Sequence, residues 1–325
     1  MKSFQIRRYT SEDALAWNAF VAQAKQASFL FHRDFMEYHQ HRFQDYSLIV
    51  LDQDKWVAVL PANRVDDAVF SHQGLTYGGL LYDDKTRLET VIEAFRNVLV
   101  FLESDGVANL TVKPLPDIYH VSPAEELSYV LFLAQAQLVR RDALAVIDLS
   151  RPVKISEIRK RGIKKGVQNQ LSVQEKMSFD DFWDLILVPN LKNKHELTPV
   201  HTAAEMALLK SYFPMNVRQF NVYDREELIG GTTIFVTPQV VHVQYIASKN
   251  GESNQGNLDF LFHHLMTNIF PNKKFFDFGC SNEEQGKKLN VGLSYWKESF
   301  GAGTVVQDFY ELPVANHRFL TGYKI

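Results

Sequence analysis

Two adjacent charged residues near the C-terminus, Lys297 and Glu298, lie between the aromatic residues Trp296 and Phe300. A lysine can stabilise the negative charge that develops on a carbonyl oxygen under attack. A carboxylate beside it can accept the proton of an attacking amine. These two residues are therefore the candidate catalytic groups of an acyl transfer. The alternative, which the pair taken by itself favours, is two surface charges on an amphipathic turn.

The segment before this pair predicts a strand that ends in small and polar residues. Residues 275–279 are followed by Cys280 and Ser281, and later by Asn290. Polar groups at the end of a strand can meet a substrate, so Asp277, Ser281 and Asn290 are candidate substrate contacts. Cys280 is expected to be a small buried residue rather than a nucleophile.

A second strand is predicted over residues 240–247 and leads into a long polar loop. Strict alternation would place His242, Gln244 and Ile246 on one face of this strand and Tyr245 on the other. The loop contains glycines and opens a helix, whose free backbone N–H groups and positive dipole end suit a phosphate or pyrophosphate. The candidate cofactor contacts in this loop are Ser248, Asn254, Gly256 and Asn257.

Six basic residues crowd positions 154–165, where Glu157 is the single acid. In a helix, Lys160 and Lys164 would be four residues apart, and so would Arg161 and Lys165; such like-charge pairs oppose helix formation. A bound anion would relieve the repulsion, so the run is a candidate phosphate site with Arg161 as a substrate contact. The alternative is a solvated linker helix.

The chain carries one pattern twice, at a nearly constant separation. A strand–turn–strand signal around Val50 recurs around Val222. The apolar helical stripe that starts at Leu88 recurs at Leu258, and the strand around Thr111 recurs at Asp277. We therefore expect an α+β fold in which mixed sheets are flanked by helices, with a domain at 1–150 and a second at 151–325.

Composition excludes several classes of protein. The 325 residues carry a net charge of −3, which disfavours a general DNA-binding or anionic-membrane role. A single cysteine excludes disulfides and multi-thiolate metal sites, and no histidine–carboxylate spacing predicts a metal. Apolar runs are too short for a membrane helix, and the N-terminus does not have the pattern of a signal peptide. These features predict a cytoplasmic protein without membrane insertion.

Three motifs carry a resemblance to a known family: Phe-Asp-Phe-Gly-x-Ser from residue 276, Leu-Asn-x-Gly-Leu from 289, and Trp-Lys-Glu-x-Phe-Gly-Ala from 296. They resemble GNAT-type proteins related to the FemABX peptidyltransferases, which have two GNAT-like domains in tandem and move an acyl or aminoacyl group onto an amine. The segments around His201 and from His242 to Tyr245 resemble members found among surface-polysaccharide genes. The resemblance implies that His201, His242 and Tyr245 contact substrate and that Lys297 is the lysine of the transfer centre.

The resemblance also implies a donor site in the second domain and an acceptor-side role, with a degenerate donor site, for the first. One departure concerns the donor. Simple GNAT enzymes carry a (Gln/Arg)-x-x-Gly-x-(Gly/Ala) motif at the pyrophosphate loop, which residues 254–257 do not reproduce.

The function expected is an N-acyltransferase that uses acyl-CoA, with acetyl-CoA as the first candidate. Its acceptor would be an amino sugar or a nucleotide-linked amino sugar in surface polysaccharide synthesis. One alternative is aminoacyl-tRNA-dependent transfer to a peptidoglycan precursor; the basic run favours tRNA and the net charge disfavours it. A second alternative is a non-catalytic module that binds a sugar nucleotide.

Overall fold

The computed structural model describes residues 3–195, 198–249 and 256–322. The chain divides into two compact units. The first comprises Met1–Asp142, Gln285–Lys287 and Val306–Ile325, and the second comprises Ala143–Glu284 and Lys288–Val305. The expected domains are consecutive segments, whereas these units draw on separated segments, so the boundary at residue 150 stays a prediction.

The first unit is built from short strands and the helices that cover them. Its strands are β1 (Gln5–Arg8), β2 (Gln44–Asp45), β3 (Leu48–Asp52), β4 (Lys55–Leu60), β5 (Asn63–Val65), β6 (Ala68–Phe70), β7 (Leu81–Tyr82) and β8 (Asn109–Val112). Its helices are α1 (Ala14–Gln23), α2 (Arg33–Glu37), α3 (Leu88–Ser104) and α4 (Glu126–Leu133). Strands β1, β3, β4 and β7 form an antiparallel sheet, while β8 pairs with β6 in parallel.

Helix α3 supplies the centre of the first core. Its apolar stripe, predicted from the helical spacing, includes Val91, Phe95 and Leu99, which are fully buried in the cluster that strands β3, β4 and β8 share. Burying such side chains is worth roughly 1.5–3 kcal/mol each, so this face holds the helix on the sheet.

The second unit contains a larger sheet. Its strands are the later part of β9 (Gln137–Asp148), then β10 (Ser172–Lys176), β11 (Val217–Asp224), β12 (Glu227–Val236), β13 (Val240–Ser248) and β14 (Phe275–Cys280). Two further strands, β15 (Asn282–Glu283) and β16 (Lys288–Leu289), pair with each other in a separate two-stranded sheet. Its helices are α5 (Glu157–Gln168), α6 (Asp180–Phe182), α7 (Val188–His195), α8 (Ala203–Tyr212), α9 (Asn257–His264) and α10 (Val291–Glu298). Strands β10 to β14 are neighbours in chain order, antiparallel except for the parallel pair β13–β14.

Segments of π-helix extend helices of this unit. Trp183–Leu187 connects α6 to α7, and Leu265–Ile269 continues α9. Helix α9 and strand β14 pack their apolar residues into one cluster with α10, in which Phe262, Phe278 and Phe300 are buried.

The predicted repeat is confirmed down to details of the backbone. Hairpin β3–β4 matches β11–β12, α3 matches α9, and β8 matches β14. Each hairpin turn places a residue in the left-handed region at the same repeat position, Gln53 with φ 55° and Arg225 with φ 55°. Each hairpin also shifts register at a matching position, after Val50 and after Val222.

Each copy places its last strand in the other unit. Strand β9 begins in the first unit, and its residues from Leu144 to Asp148 pair with β14 in the second. Strand β17 (Gly303–Pro313) begins in the second unit, and its residues from Tyr310 to Pro313 pair with β8 in the first. The repeat in sequence and the compact unit in space are therefore offset by one strand.

Candidate active site

A buried carboxylate lies on β14. Phe276 and Phe278 turn into the apolar cluster, so the intervening Asp277 points to the other face and is 0% exposed. Its Oδ1 accepts a hydrogen bond from the backbone N–H of Gly279 at 2.7 Å. Its Oδ2 lies 3.0 Å from Nδ1 of His242, which the parallel β13–β14 register places opposite it.

Lys297 approaches the end of the same strand from α10. The helix begins after Asn290, whose side chain accepts a hydrogen bond from the N–H of Leu293. Trp296 and Phe300 anchor the helix in the apolar cluster. Lys297, only 4% exposed, donates from Nζ to the carbonyl oxygens of Gly279 at 3.0 Å and Cys280 at 2.6 Å.

The environment of Lys297 lowers the pKa of its ammonium to about 8, because burial disfavours the charged form and the charges of Cys280 and Asp277 only partly offset it. A lysine ammonium has three N–H donors, of which two bind carbonyl oxygens here. The third can meet a developing oxyanion. Lys297 is therefore a desolvated cation that still carries its proton for most of the time at pH 7.

A chain of hydrogen bonds connects the groups at this strand end. It runs from His242 to Asp277, from Asp277 to the N–H of Gly279, and from the carbonyl of Gly279 to Lys297. A carboxylate that binds one imidazole nitrogen orients the ring and favours its use in proton transfer. The structure thus joins a candidate base and a candidate oxyanion donor, a pairing that the sequence does not indicate.

The other predicted residues near this strand end differ in burial and in hydrogen bonding. Ser281 is buried, and its Oγ has no hydrogen-bond partner among the described residues. Cys280 is exposed, so the expectation of a buried cysteine is wrong; the left-handed Gly279, with φ 70°, ends the regular alternation before it. The side chain of Asn290 caps α10 and donates to Glu283 Oε1 at 3.0 Å.

Glu298 is not part of this hydrogen-bonded chain. It is exposed on α10 and accepts a hydrogen bond from Ser294 Oγ at 2.9 Å. One residue further along a helix means a rotation of about 100°, so the carboxylate leaves the face on which Lys297 is buried. A catalytic role for Glu298 stays a prediction.

Strict alternation along β13 is wrong because the strand contains a bulge. Its register against β12 shifts between Thr233, opposite Tyr245, and Ile234, opposite Val243, which leaves Gln244 as an extra residue. Ile246 therefore packs on the same apolar cluster as Val243 instead of lying on the face of His242.

His201 and Tyr245 contact each other in the second unit. Nδ1 of His201 lies 2.6 Å from the hydroxyl of Tyr245, and burial raises the pKa of this phenol. Trp183 Nε1 donates to the carbonyl oxygen of His201 at 3.3 Å. The next residue, Thr202, forms a capping box with Glu205 and precedes α8. These contacts hold the histidine and the tyrosine together, and their contact with substrate stays a prediction.

The predicted cofactor residues close the strand–helix connection. Asn257 is 2% exposed, and its Nδ2 donates to Ser248 Oγ at 2.7 Å and to the carbonyl oxygen of Ile229 at 3.1 Å. Gly256 has φ 76° and lies so close to α5 that an added Cβ would be 2.1 Å from the carbonyl oxygen of Gly162. Asn254 lies outside the described residues. Phosphate binding by this segment stays a prediction.

The basic run forms α5, which packs on α9. Arg159 makes an ion pair of 2.6 Å with Asp259, a carboxyl whose pKa is raised by burial despite the arginine. Arg161 is exposed on the same helix. A cavity of about 570 Å³ within the second unit is lined by three lysines and a histidine, namely Lys154, Lys160, Lys164 and His263. Part of the run thus serves packing, and part lines a basic groove.

Membrane-spanning and metal-binding features are both missing from the described part of the chain. No helix there is long and apolar enough to cross a membrane. The same residues contain no cluster of three or more histidine, cysteine, aspartate or glutamate side chains arranged to hold a metal ion.

Comparison with known proteins identifies the fold. No protein-family model matches the sequence, and no curated protein sequence matches it. Among solved structures, FemX matches with a TM-score of 0.65 and 9% identity, covering 94% of this chain and 96% of FemX. A C-terminal domain assigned to a lysylphosphatidylglycerol synthetase of Agrobacterium fabrum matches with a TM-score of 0.60 and 10% identity, covering 93% and 91%.

A tandem GNAT protein from the clavulanic acid biosynthesis pathway matches with a TM-score of 0.51 and 10% identity, covering 96% of this chain and 99% of its own. The chain therefore has the tandem GNAT-like fold, an α+β fold of mixed sheets flanked by helices that it shares with FemX. The predicted fold class is confirmed. At these identities the likeness defines the fold and not the reaction.

The lowered pKa of Lys297 has a consequence for stability. Its pKa is about 8 in the folded protein against 10.5 in the unfolded chain, so between these values the unfolded state binds more protons. The free energy of unfolding therefore rises as the pH rises from 8 to 10.5, by about 3 kcal/mol for this residue. Lys297→Met removes this titration. Urea denaturation at several pH values should therefore show that the free energy of unfolding of wild type rises relative to that of the variant only above pH 8.

A matched control is Lys288→Met, because Lys288 is an exposed lysine paired with Glu284. Its stability difference from wild type should stay flat over the same pH range. A flat difference for Lys297→Met as well would show that Lys297 titrates as an ordinary surface lysine.

Proposed function

We propose that this protein is an N-acyltransferase that moves an acyl group from an activated carrier to an amine at the Lys297 site of the second unit. The observation that carries the proposal is the buried Lys297 ammonium on the carbonyl oxygens of Gly279 and Cys280, linked through Asp277 to His242. A donor for an oxyanion and an oriented imidazole are the two groups that attack of an amine on a carbonyl carbon requires.

The reaction balances with these groups alone. The amine nitrogen attacks the thioester carbon of acyl-CoA, and the carbonyl oxygen becomes an oxyanion that accepts a hydrogen bond from Lys297. His242 removes the proton of the attacking nitrogen as the C–N bond forms. The C–S bond then breaks, and the thiolate of CoA leaves with the proton that His242 removed, which returns the imidazole to its neutral state. The acyl chain is first tested as acetyl.

The acceptor in this proposal is an amino sugar or a nucleotide-linked amino sugar used for surface polysaccharide, and the reaction takes place in the cytoplasm, where acyl-CoA is available. The likeness to the tandem GNAT protein supports a CoA thioester as the donor. The packing of Gly256 against α5 argues against a wide pyrophosphate cradle at the start of α9.

A second candidate is aminoacyl transfer from a tRNA, and the groove lined by Lys154, Lys160 and Lys164 favours it. The likeness to FemX and to the lysylphosphatidylglycerol synthetase domain supports the same donor class. Contacts between lysines and phosphates weaken steeply with salt, whereas transfer from acyl-CoA depends less on salt.

The deciding experiment supplies purified protein with acetyl-CoA or aminoacyl-tRNA and a panel of amino sugars and nucleotide-linked amino sugars. Chromatography would detect the N-acylated product and the released CoA, which avoids a background from the exposed thiol of Cys280. Product from acetyl-CoA supports the first candidate, and product from tRNA alone supports the second. Tight binding of a sugar nucleotide with no product from either donor would indicate a non-catalytic binding module.

Asp277→Asn tests the role of His242. The amide can still accept from Gly279 N–H through its oxygen, but its NH₂ then faces His242 Nδ1 and favours the tautomer that carries its proton on Nε2. Such an imidazole cannot remove a proton from the amine, so kcat should fall by about 100-fold with little change in donor KM. The control variant is Asp148→Asn, because Asp148 is a half-buried carboxylate on β9 that pairs with Arg151. Steady-state kinetics would compare the kcat and KM of Asp277→Asn with those of this control. Equal activity of the two variants would remove His242 from the mechanism.

A further inference from the structure

The first unit contains a cavity of about 450 Å³ at the ends of β6 and β8. Its lining comes from these two strands, from β9 and β17, and from the segment at Gln285, all within this unit. This volume is typical of sites that hold small molecules. Neither the proposed transfer nor the sequence motifs assign a role to it.

A lysine and an arginine give this cavity its charge. Lys113 follows β8 directly and donates from Nζ to the carbonyl oxygen of Leu75. Burial, with the nearby charge of Arg140, lowers the pKa of this lysine to about 7. Among the described residues no carboxylate lies within ion-pair distance of its ammonium.

Arg140 is the second cation, and it is held in place. Its guanidinium pairs with Asp142 at 2.6 Å and lies over the ring of Phe309 with 4.4 Å to the ring centroid. The ring of Phe70 also lines the cavity, and both aromatic residues are partly exposed. The cavity therefore combines two cations with two apolar walls, and the exposed carboxylate of Glu311 lies at its rim.

The repeat relates this lysine to the candidate active site. Lys113 occupies the position of Gly279 at the end of the matching strand. In the second unit a lysine ammonium, that of Lys297, lies on the carbonyl oxygens of this strand end. In the first unit the lysine is Lys113, directly after β8, and its ammonium donates to the carbonyl oxygen of Leu75. Both copies thus keep a desolvated cation at the end of the repeated strand.

A cation without a carboxylate partner is costly to desolvate, and an anion in contact with it offsets that cost. We infer that the cavity of the first unit is a second ligand site, which binds an organic carboxylate or phosphate monoester attached to a planar apolar body. Lys113 and Arg140 bind the anionic group, and the rings of Phe70 and Phe309 bind the planar body. The site goes beyond the proposed transfer and does not depend on it.

Binding of an anion here is coupled to proton uptake. The charged and titratable groups that face Lys113 are Arg140, the exposed Glu311 at the rim and His72. Arg140 stays protonated, and burial lowers the pKa of His72 to about 3, so this histidine stays neutral. Lys113 is mostly neutral at pH 8, and a bound anion restores its proton.

Calorimetric titration of the full chain tests the site with two aromatic probes, benzoate and phenyl phosphate, and with benzyl alcohol as the neutral control. Two buffers of different ionisation enthalpy report the protons taken up. At pH 8 at least one anion should bind with uptake approaching one proton, while benzyl alcohol should not bind. For benzoate, whose carboxylate stays ionised, the uptake should fall toward zero near pH 5.5. Binding of benzoate alone assigns a carboxylate ligand, and binding of phenyl phosphate alone assigns a phosphate monoester. No binding of either at about 10 mM would overturn the inference.

Variants identify the group that takes up the proton. Lys113→Met should weaken binding at least tenfold and abolish the proton uptake, whereas Lys297→Met should preserve both. If Lys113→Met does not fold, the wild-type protein still decides, because binding without proton uptake contradicts the inference. Unchanged affinity and uptake in folded Lys113→Met would contradict it as well.

Discussion

Lys297→Met should lower kcat for acyl transfer by about 100- to 1000-fold, the usual effect of removing one donor to an oxyanion. The oxyanion exists only in the transition state and the intermediate, so the KM for the donor should change by less than about threefold. Methionine is similar in length and apolar, and it fits the buried position, where the residue is 4% exposed. Steady-state kinetics with the best donor and acceptor would measure both constants.

The pH profile of Lys297→Arg separates a chemical role from a structural one. Wild-type activity should decline above pH 8, where the ammonium of Lys297 loses its proton. An arginine stays charged, so the activity of Lys297→Arg should not decline between pH 8 and the highest pH tested. Lys288→Met, which changes an exposed lysine, should match wild type. A kcat within tenfold of wild type for Lys297→Met would contradict the proposed role.

The repeat is the part of the fold most accessible from the sequence, because its signals are local. A turn between two apolar runs and a helical stripe both depend on residues within a few positions of each other. The structure adds that Gln53 and Arg225 are both left-handed at the corresponding turn position. Neither residue is a glycine or asparagine, so no turn motif in the sequence indicates this conformation.

The sequence does not predict in the same way that the two copies exchange their last strands, β9 and β17. Strand β9 pairs with β14, and β17 pairs with β8, although each follows the helix of the opposite copy. An alternating strand can pair with either sheet edge, and its own residues do not specify which one. Local patterns therefore predict that a segment such as β9 is a strand, and only tertiary packing selects its partner.

The sequence predicts the candidate site by residue and not by arrangement. His242 and Asp277 are both expected at the substrate, but their pairing depends on the parallel register of β13 and β14. The bulge at Gln244 changes which later residues share the face of His242. Lys113 is missed, since a single lysine after a strand carries no signal until the fold places a carbonyl oxygen and Arg140 beside it.

Gly256→Ala should destabilise the second unit by several kcal/mol, and this variant decides between two interpretations of the loop before α9. A phosphate cradle uses a glycine so that a ligand can approach the backbone, whereas here the neighbour is α5. The left-handed φ of 76° costs an alanine about 1–2 kcal/mol. The Cβ would also lie 2.1 Å from the carbonyl oxygen of Gly162, and a backbone atom cannot swing away as a flexible side chain can. Overpacking of this kind adds about 1–3 kcal/mol.

The chain offers a matched control in Gly106, which has φ 73° and nothing within 4 Å of an added Cβ. Gly106→Ala should lose only the conformational part, so urea denaturation should separate the two variants by about 2 kcal/mol. If Gly256 packs α5 on α9, Gly256→Ala loses stability, while any folded fraction keeps its affinity for the acyl donor. If instead Gly256 cradles a pyrophosphate, both glycine variants lose similar stability and Gly256→Ala alone loses donor affinity. The Arg159–Asp259 ion pair beside Gly162 limits how far α5 can retreat, and this favours the larger loss of stability for Gly256→Ala.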